Sequence, residues 1–205
     1  MLTALTAGLL LITISELGDK TFFIGMILAM RYPRRWVLAG VVAALATMTV
    51  LSVAIGQILS FLPKIYLNYA EIFLFLAFGT KLLLDARRMG NNANLEVLEE
   101  AEEVIEVEER KRQQSPTSWG IFLEGFLLTF VAEWGDRTQI ATIALAASHN
   151  VLGVTIGAIL GHTICALIAV LGGKLIAGRI SERTVTIIGG LLFYLFAGVA
   201  MINSR

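Results

Sequence analysis

Ser15-Glu16-Leu17-Gly18-Asp19-Lys20-Thr21 (SELGDKT) interrupts an otherwise apolar N-terminal stretch. Residues 1–14 (MLTALTAGLLLITI) carry no charged side chain before it, and residues 22–30 (FFIGMILAM) carry none after it. The surroundings read as a membrane span. An ionisable side chain at membrane depth costs about 2.5–3.5 kcal/mol even on insertion-derived scales. Glu16, Asp19 and Lys20 together therefore call for a ligand or partner that offsets their burial.

The whole chain supports that setting. Of 205 residues, 57% are apolar and 16% charged, and the mean hydropathy is +0.78. Soluble domains carry about a quarter charged residues. Apolar runs of roughly twenty residues, enough to cross a hydrocarbon core of about 30 Å, recur along the sequence. The expected fold is an all-α membrane protein with six transmembrane helices, at about 2–30, 36–60, 67–84, 118–147, 150–174 and 184–202. The first and fourth are too long for a straight span, and each has a Gly-Asp near its middle, so both are expected to break there. The N-terminus lacks the basic region of a signal peptide, and its apolar run continues past SELGDKT, so it is expected as a retained span. Zero net charge argues against a nucleic-acid partner, and the single Cys165 excludes an internal disulfide and any multi-cysteine metal site. No nucleophile–base pair or cofactor motif is present, so neither enzymatic activity nor a resident cofactor is expected.

The opening motif has a twin. Glu133-Trp134-Gly135-Asp136-Arg137-Thr138 (EWGDRT) matches Glu16–Thr21 position for position, 117 residues further on. Gly40 and Gly157 share that offset, and FLAFG (75–79) resembles YLFAG (194–198) at a slightly larger one. The chain divides into a first three-helix repeat (1–90), an acidic linker (91–117) and a second three-helix repeat (118–205). Three is odd, so the second repeat enters the membrane from the opposite side. Such inverted repeats place substrate sites near the midplane, between the halves.

Basic residues set the expected orientation. Arg31, Arg34, Arg35, Arg87, Arg88, Arg110, Lys111, Arg112, Lys174, Arg179 and Arg183 flank the loops after the first, third and fifth spans, whereas the opposite face has only Lys64 and Arg205. Both termini are therefore expected outside the cytoplasm and the central loop inside it. The linker stretch LEVLEEAEEVIEVEER (95–110) has helical apolar spacing and reads as a solvated amphipathic helix, with a cation-sensing segment as the other reading.

On a continuous helix Glu16, Asp19 and Lys20 would share one face, as would Glu133, Asp136 and Arg137. Gly18 and Gly135 would loosen the backbone and free carbonyls toward a cavity. The donors on offer are oxygens: the four carboxylates, Thr21 and Thr138, with Ser15 and Gln139 beside them. An all-oxygen set suits Ca²⁺, Mg²⁺ or Mn²⁺ rather than Zn²⁺ or Cu⁺. Four carboxylates against Lys20 and Arg137 leave a formal charge of about −2, which one divalent ion neutralises. When the ion departs, protons would take its place, because desolvation and mutual repulsion both favour the neutral acid. The competing reading is a pair of structural bridges, Glu16–Lys20 and Glu133–Arg137. Elsewhere, His162 reads as a hydrogen-bonded packing histidine or else a ligand or proton carrier. Glu71 and Glu124 read as interfacial, Thr47, Thr49, Ser52 and Gln57 as candidate path residues, and Gly153, Gly157 and Gly161 as a helix-packing ridge.

Two E-x-G-D-[KR]-T motifs, one per three-span half, joined by an acidic loop, resemble the family of divalent cation/proton exchangers that includes the Golgi manganese transporter and the cyanobacterial manganese exporter. The resemblance covers the whole chain. It implies export of Mn²⁺, and in some members Ca²⁺, from the cytosol against protons. It also implies cation binding by Glu16, Asp19, Glu133 and Asp136. Thr21, Thr138 and Gln139 match the family's accompanying positions, while Lys20, Arg137, Gly18, Gly135 and Ser15 would support the site. A compact chain of this kind is similar to members in a bacterial or cyanobacterial plasma membrane or in the thylakoid. The partners expected are the divalent cation and the bilayer, and the sequence does not fix an oligomeric state. The alternatives are an exporter of an organic cation such as a basic amino acid, and a non-transporting membrane assembly or sensor protein.

Overall fold

The computed structural model describes residues 1–89, 93–110, 116–172 and 182–203. Among the described residues the regular structure is entirely helical: α1 Leu2–Glu16, α2 Lys20–Arg31, α3 Arg34–Leu59, α4 Lys64–Arg88, α5 Ala93–Arg110, α6 Ser118–Ala132, α7 Arg137–Ser148, α8 Val151–Gly172 and α9 Glu182–Asn203. Local chemistry explains the punctuation. Pro33 and Pro63 stand immediately before α3 and α4, where a fixed φ suits a helix start and a missing N–H costs nothing. Thr117 caps α6 by accepting a hydrogen bond from the Gly120 N–H at 3.1 Å. Of the basic loop residues, Lys111, Arg112, Lys174, Arg179 and Arg205 lie outside the described residues.

By length and composition α3, α4, α8 and α9 can each cross a membrane. The pair α1 and α2 makes a fifth candidate span, bent by 68° between its halves. The 15-residue α6 is apolar but shorter, and α7 follows it after a break. Phe73, Leu191, Leu195 and Ile202 point outward from the bundle, as helices solvated by lipid allow.

The closest helix pairs are α1 with α8, α3 with α6, and α4 with α9, each joining an element from before the linker to one from after it. Two of these crossings rest on glycine. A Cβ on Gly157 of α8 would collide with the Leu5 carbonyl oxygen of α1, and one on Gly40 of α3 would collide with that of Phe122 in α6. Lipid offers no hydrophobic drive between helices, so backbone contact of this kind supplies dispersion attraction instead. The ridge reading of Gly153, Gly157 and Gly161 holds, since all three face α1. The α4–α9 interface is aromatic, with Phe75 edge-on to Phe193 at 5.7 Å between ring centres.

One expectation needs correction. The linker helix α5 is not simply solvated: Ala101 and Ile105 are fully buried in a cluster with Phe22, Phe23 and Ile24 of α2. Burying an isoleucine is worth about 1.5–3 kcal/mol, more than an exposed ion pair at about 0–1 kcal/mol. The apolar face therefore seats α5, and Arg31 orients it through Glu109 at 2.6 Å and Glu102 at 3.2 Å. Glu71 and Glu124, read as interfacial rather than ligating, are buried among the helices, and neither joins the carboxylates of the two motifs. Glu71 meets His149 Nε2 at 2.9 Å across the α4–α7 junction.

Replacing Gly157 or Gly40 by Ala is expected to destabilise the protein in detergent by about 1–3 kcal/mol through overpacking. Gly198→Ala, whose Cβ meets nothing within 4 Å, serves as the neutral control in the same thermal unfolding series. The hydrogen bond to Glu71 raises the pKa of His149 against the opposing effect of its partial burial. A raised folded-state value means that the pair stabilises fully below the unfolded pKa of about 6.5 and fades as pH climbs through the folded one. Glu71→Gln should therefore lower the unfolding temperature more at pH 5.5 than at pH 8.5; an equal loss at both would remove the linkage.

Candidate metal centre

Both motifs fall at helix breaks. The α1 helix ends at Glu16 and α2 begins at Lys20, while α6 ends at Ala132 and α7 begins at Arg137. Gly18 and Gly135 have φ of 81° and 82°, a region that glycine enters without the Cβ penalty. The turns match: the Asp19 N–H donates to Glu16 O at 3.3 Å, and the Asp136 N–H to Glu133 O at 3.1 Å. Each aspartate then caps the following helix. Asp19 Oδ1 accepts from the Lys20 N–H at 2.8 Å, and Asp136 Oδ2 accepts from the Thr138 N–H at 3.4 Å and its hydroxyl at 3.2 Å. Gln139 Oε1 accepts from the Gly135 N–H at 2.7 Å, fixing the second break.

These breaks correct the expectation that each motif shares one helical face. Glu16 closes one helix and Asp19 opens the next, so the i, i+3 relation does not apply. Tertiary packing instead brings the two motifs together. Glu16, Glu133 and Asp136 each offer an oxygen within 4.8 Å of the others. Glu16 and Glu133 are only 3% and 4% exposed. Thr21 Oγ1 donates to Glu16 Oε2 at a long 3.5 Å, and Thr138 is buried alongside.

The fourth carboxylate is held apart from this cluster by a cation. Arg137 Nη2 donates to Asp19 Oδ2 at 3.5 Å and its Nε lies 3.6 Å from Asp136 Oδ1, so the guanidinium joins the two motifs. Lys20 turns the other way and pairs with Glu100 of α5 at 3.5 Å. Neither Glu16–Lys20 nor Glu133–Arg137, the bridges of the purely structural reading, is formed.

Two cavities lie at the motifs. One, of about 60 Å³, is bounded by Ser15, Gly18, Asp19, Asp85, Arg137 and Thr186, between the first motif and facing parts of α4 and α9. The other, smaller one puts Glu133 and Thr138 beside Thr49, Ser52, Thr142 and His162. Thr49 and Ser52 thus stand where a path residue would, whereas Thr47 is exposed and Gln57 donates to Ala146 O at 2.8 Å. His162 is 6% exposed, and its Nδ1 lies 4.0 Å from Glu16 Oε1, too far for a hydrogen bond. His162 is thus buried beside the second motif but outside the cluster of Glu16, Glu133 and Asp136.

Chemically, three crowded carboxylates with two hydroxyls form a hard oxygen cradle for a divalent cation. A family model described as divalent cation/proton antiporter GDT1 matches residues 4–90 and 121–205. A GDT1-like protein of Synechocystis sp. is 72% identical over 200 residues, covering 98% of this chain and 97% of the relative. GDT1-like protein 3 of Oryza sativa is 46% identical over 200 residues (95% and 72% covered), and GDT1-like protein 5 of Arabidopsis thaliana 41% over 216 residues (96% and 94%). No solved structure matches. The chain belongs to the divalent cation/proton antiporter family, and is a multi-pass integral membrane transporter rather than an enzyme.

The break at Gly135 can be tested separately from metal chemistry. A Cβ there meets nothing within 4 Å, so Gly135→Ala reports the positive φ alone. It should cost about 1–2 kcal/mol in thermal unfolding, and Gly135→Asn should recover part of it, since asparagine tolerates that region.

Proposed function

We propose that this antiporter exports Mn²⁺ from the cytosol in exchange for protons, with Ca²⁺ as a second cargo. The observation that carries the reading is the convergence of Glu16, Glu133 and Asp136 from both motifs on one buried point. Asp19, held by Arg137, completes the acidic set from the wall of the cavity that residues near the basic-loop ends of α4 and α9 also line. Basic loops favour the cytosolic side, so that cavity supports loading from the cytosol. Lys20 and Arg137 adjust the charge around the centre, and Gly18 and Gly135 shape the breaks that expose it.

The architecture proposed is six spans in two inverted three-helix repeats that alternate access to the centre. Its support is a set of paired features 117 positions apart. Gly18 and Gly135 share their unusual φ. Gly40 meets Phe122 as Gly157 meets Leu5, and both partners of the second contact are the repeat mates of the first. In this arrangement the two halves rock about a centre to which each contributes one glutamate and one aspartate. Two termini outside the cytosol, and a plasma or thylakoid membrane, complete the proposal.

Exchange follows from charge. Three carboxylates held this close repel one another, and either a divalent ion or protons offset that repulsion. Cargo and protons thus compete for the same oxygens, and each empties the site of the other. In proteoliposomes with an imposed pH gradient, wild-type protein should move Mn²⁺, and Glu16→Gln or Glu133→Gln should lower the rate at least tenfold while remaining monodisperse. Wild-type vesicles that move neither Mn²⁺ nor Ca²⁺ would overturn the proposal. Competition by lysine or arginine would point to an organic cation instead.

A further inference from the structure

Oxygens shared between cargo and protons make exchange possible, but they do not make it obligatory. A carrier that also turns over with its centre empty lets each ion run down its own gradient. Tight exchange therefore needs a device that holds the empty protein still, and the cation between the two motifs has the right connections for one.

Arg137 begins α7, after the linker, and Asp19 opens α2, before it. Arg137 Nη2 meets Asp19 Oδ2 at 3.5 Å, so this ion pair ties one half of the chain to the other. Both side chains are 27% exposed, which leaves the pair less screened than one on an open surface. The same guanidinium lies 3.6 Å from Asp136 Oδ1 through its Nε. Asp136 has a second allegiance, because it is one of the three carboxylates that converge with Glu16 and Glu133. One aspartate thus belongs both to the cradle for the ion and to the bridge between the halves.

That sharing sets the two in opposition. With the cradle empty, the carboxylates attract the guanidinium and the bridge is at its strongest. A divalent ion in the cradle neutralises Asp136 and repels the nearby cation, so the bridge weakens as the cargo binds. We infer that Arg137 is a positioning residue that fastens the two halves across the empty centre and releases them when cargo is bound, so that the empty protein does not reorient. This rests on the carboxylate centre and the rocking halves proposed above, and adds to them the element that makes exchange obligatory. The repeat mate of Arg137 is not built for the same task. Lys20 pairs with Glu100 of α5, whose side chain is 65% exposed, and not with the second motif. A planar guanidinium also serves two carboxylates together, which an ammonium does poorly.

The test uses full-length protein in proteoliposomes loaded with labelled Mn²⁺, at pH 8.5 on both sides and with the membrane potential clamped. Efflux into metal-free medium requires the empty protein to return, whereas exchange against external Mn²⁺ uses loaded states only. In wild type, exchange should outrun net efflux by about tenfold or more. In Arg137→Gln that ratio should fall toward one while exchange still runs, and Arg137→Lys should lie between. Lys20→Gln should retain more of the ratio than Arg137→Gln. A wild-type ratio near one, an undiminished ratio in Arg137→Gln, or an equal collapse in Lys20→Gln overturns the inference and leaves the carboxylate centre standing. Loss of exchange together with net efflux in Arg137→Gln overturns it as well, since the loaded protein would then need the residue. Wild-type protein that moves neither Mn²⁺ nor Ca²⁺ in either mode overturns both proposals. Should Arg137→Gln fail to fold, Asp19→Asn removes the far partner of the bridge and decides by the same ratio.

Discussion

The close approach of α1 to α8 and of α3 to α6 is the constraint on which the centre depends. Glu16 sits at the end of α1 and Glu133 directly after α6, so the two meet only if those helices are held firmly. Their charges oppose the meeting. At 4.8 Å and an effective dielectric of about 20, each fully ionised pair repels by about 3 kcal/mol. Backbone contact at Gly157 and Gly40 provides the opposing attraction, since a side chain at either position would hold the helices apart. The glycines that make the crossings and the acids that make the site are thus two halves of one design, spaced alike in both parts of the chain.

Identical local sequence does not give identical surroundings. Lys20 and Arg137 occupy equivalent places in the two motifs, yet one reaches out to Glu100 on α5 and the other reaches across to Asp19. The difference has a chemical side. A guanidinium presents several donors in a plane and can serve two carboxylates together, as Arg137 does with Asp19 and Asp136. An ammonium on a flexible stem suits a single exposed partner. The near-symmetric backbone therefore carries an asymmetric charge pattern, with the linker helix attached to the first motif.

Sequence made the helices legible because lipid demands long apolar runs, and it made the breaks legible because Gly-Asp within such a run has few other uses. The doubled motif located five of the atoms that line the centre. What sequence obscured was partnership. Spacing along a chain suggests neighbours on a continuous helix, so Glu16 with Lys20 and Glu133 with Arg137 looked like pairs. The break at Gly18 and Gly135 abolishes that relation, and contacts more than a hundred residues apart replace it. The pairing of Glu71 with His149 was hidden for a related reason: a carboxylate near the end of a span shows no partner until the packing of neighbouring helices is known. The ridge was legible as such: Gly153, Gly157 and Gly161 recur every fourth residue, and each meets α1 one turn further along, from Met1 to Thr13.

The structure also changes the charge balance that sequence suggested. With Lys20 drawn to Glu100, the acids around the centre face one guanidinium rather than two cations. Four carboxylates against Arg137 leave a formal charge of about −3, and a divalent ion offsets two of those charges. The third falls to a proton or to Lys20 itself, whose exposed pairing with Glu100 is worth about 0–1 kcal/mol and is readily exchanged. Lys20 is then the point at which the first motif and the acidic face of α5 share a charge, beside the apolar contacts that seat the helix.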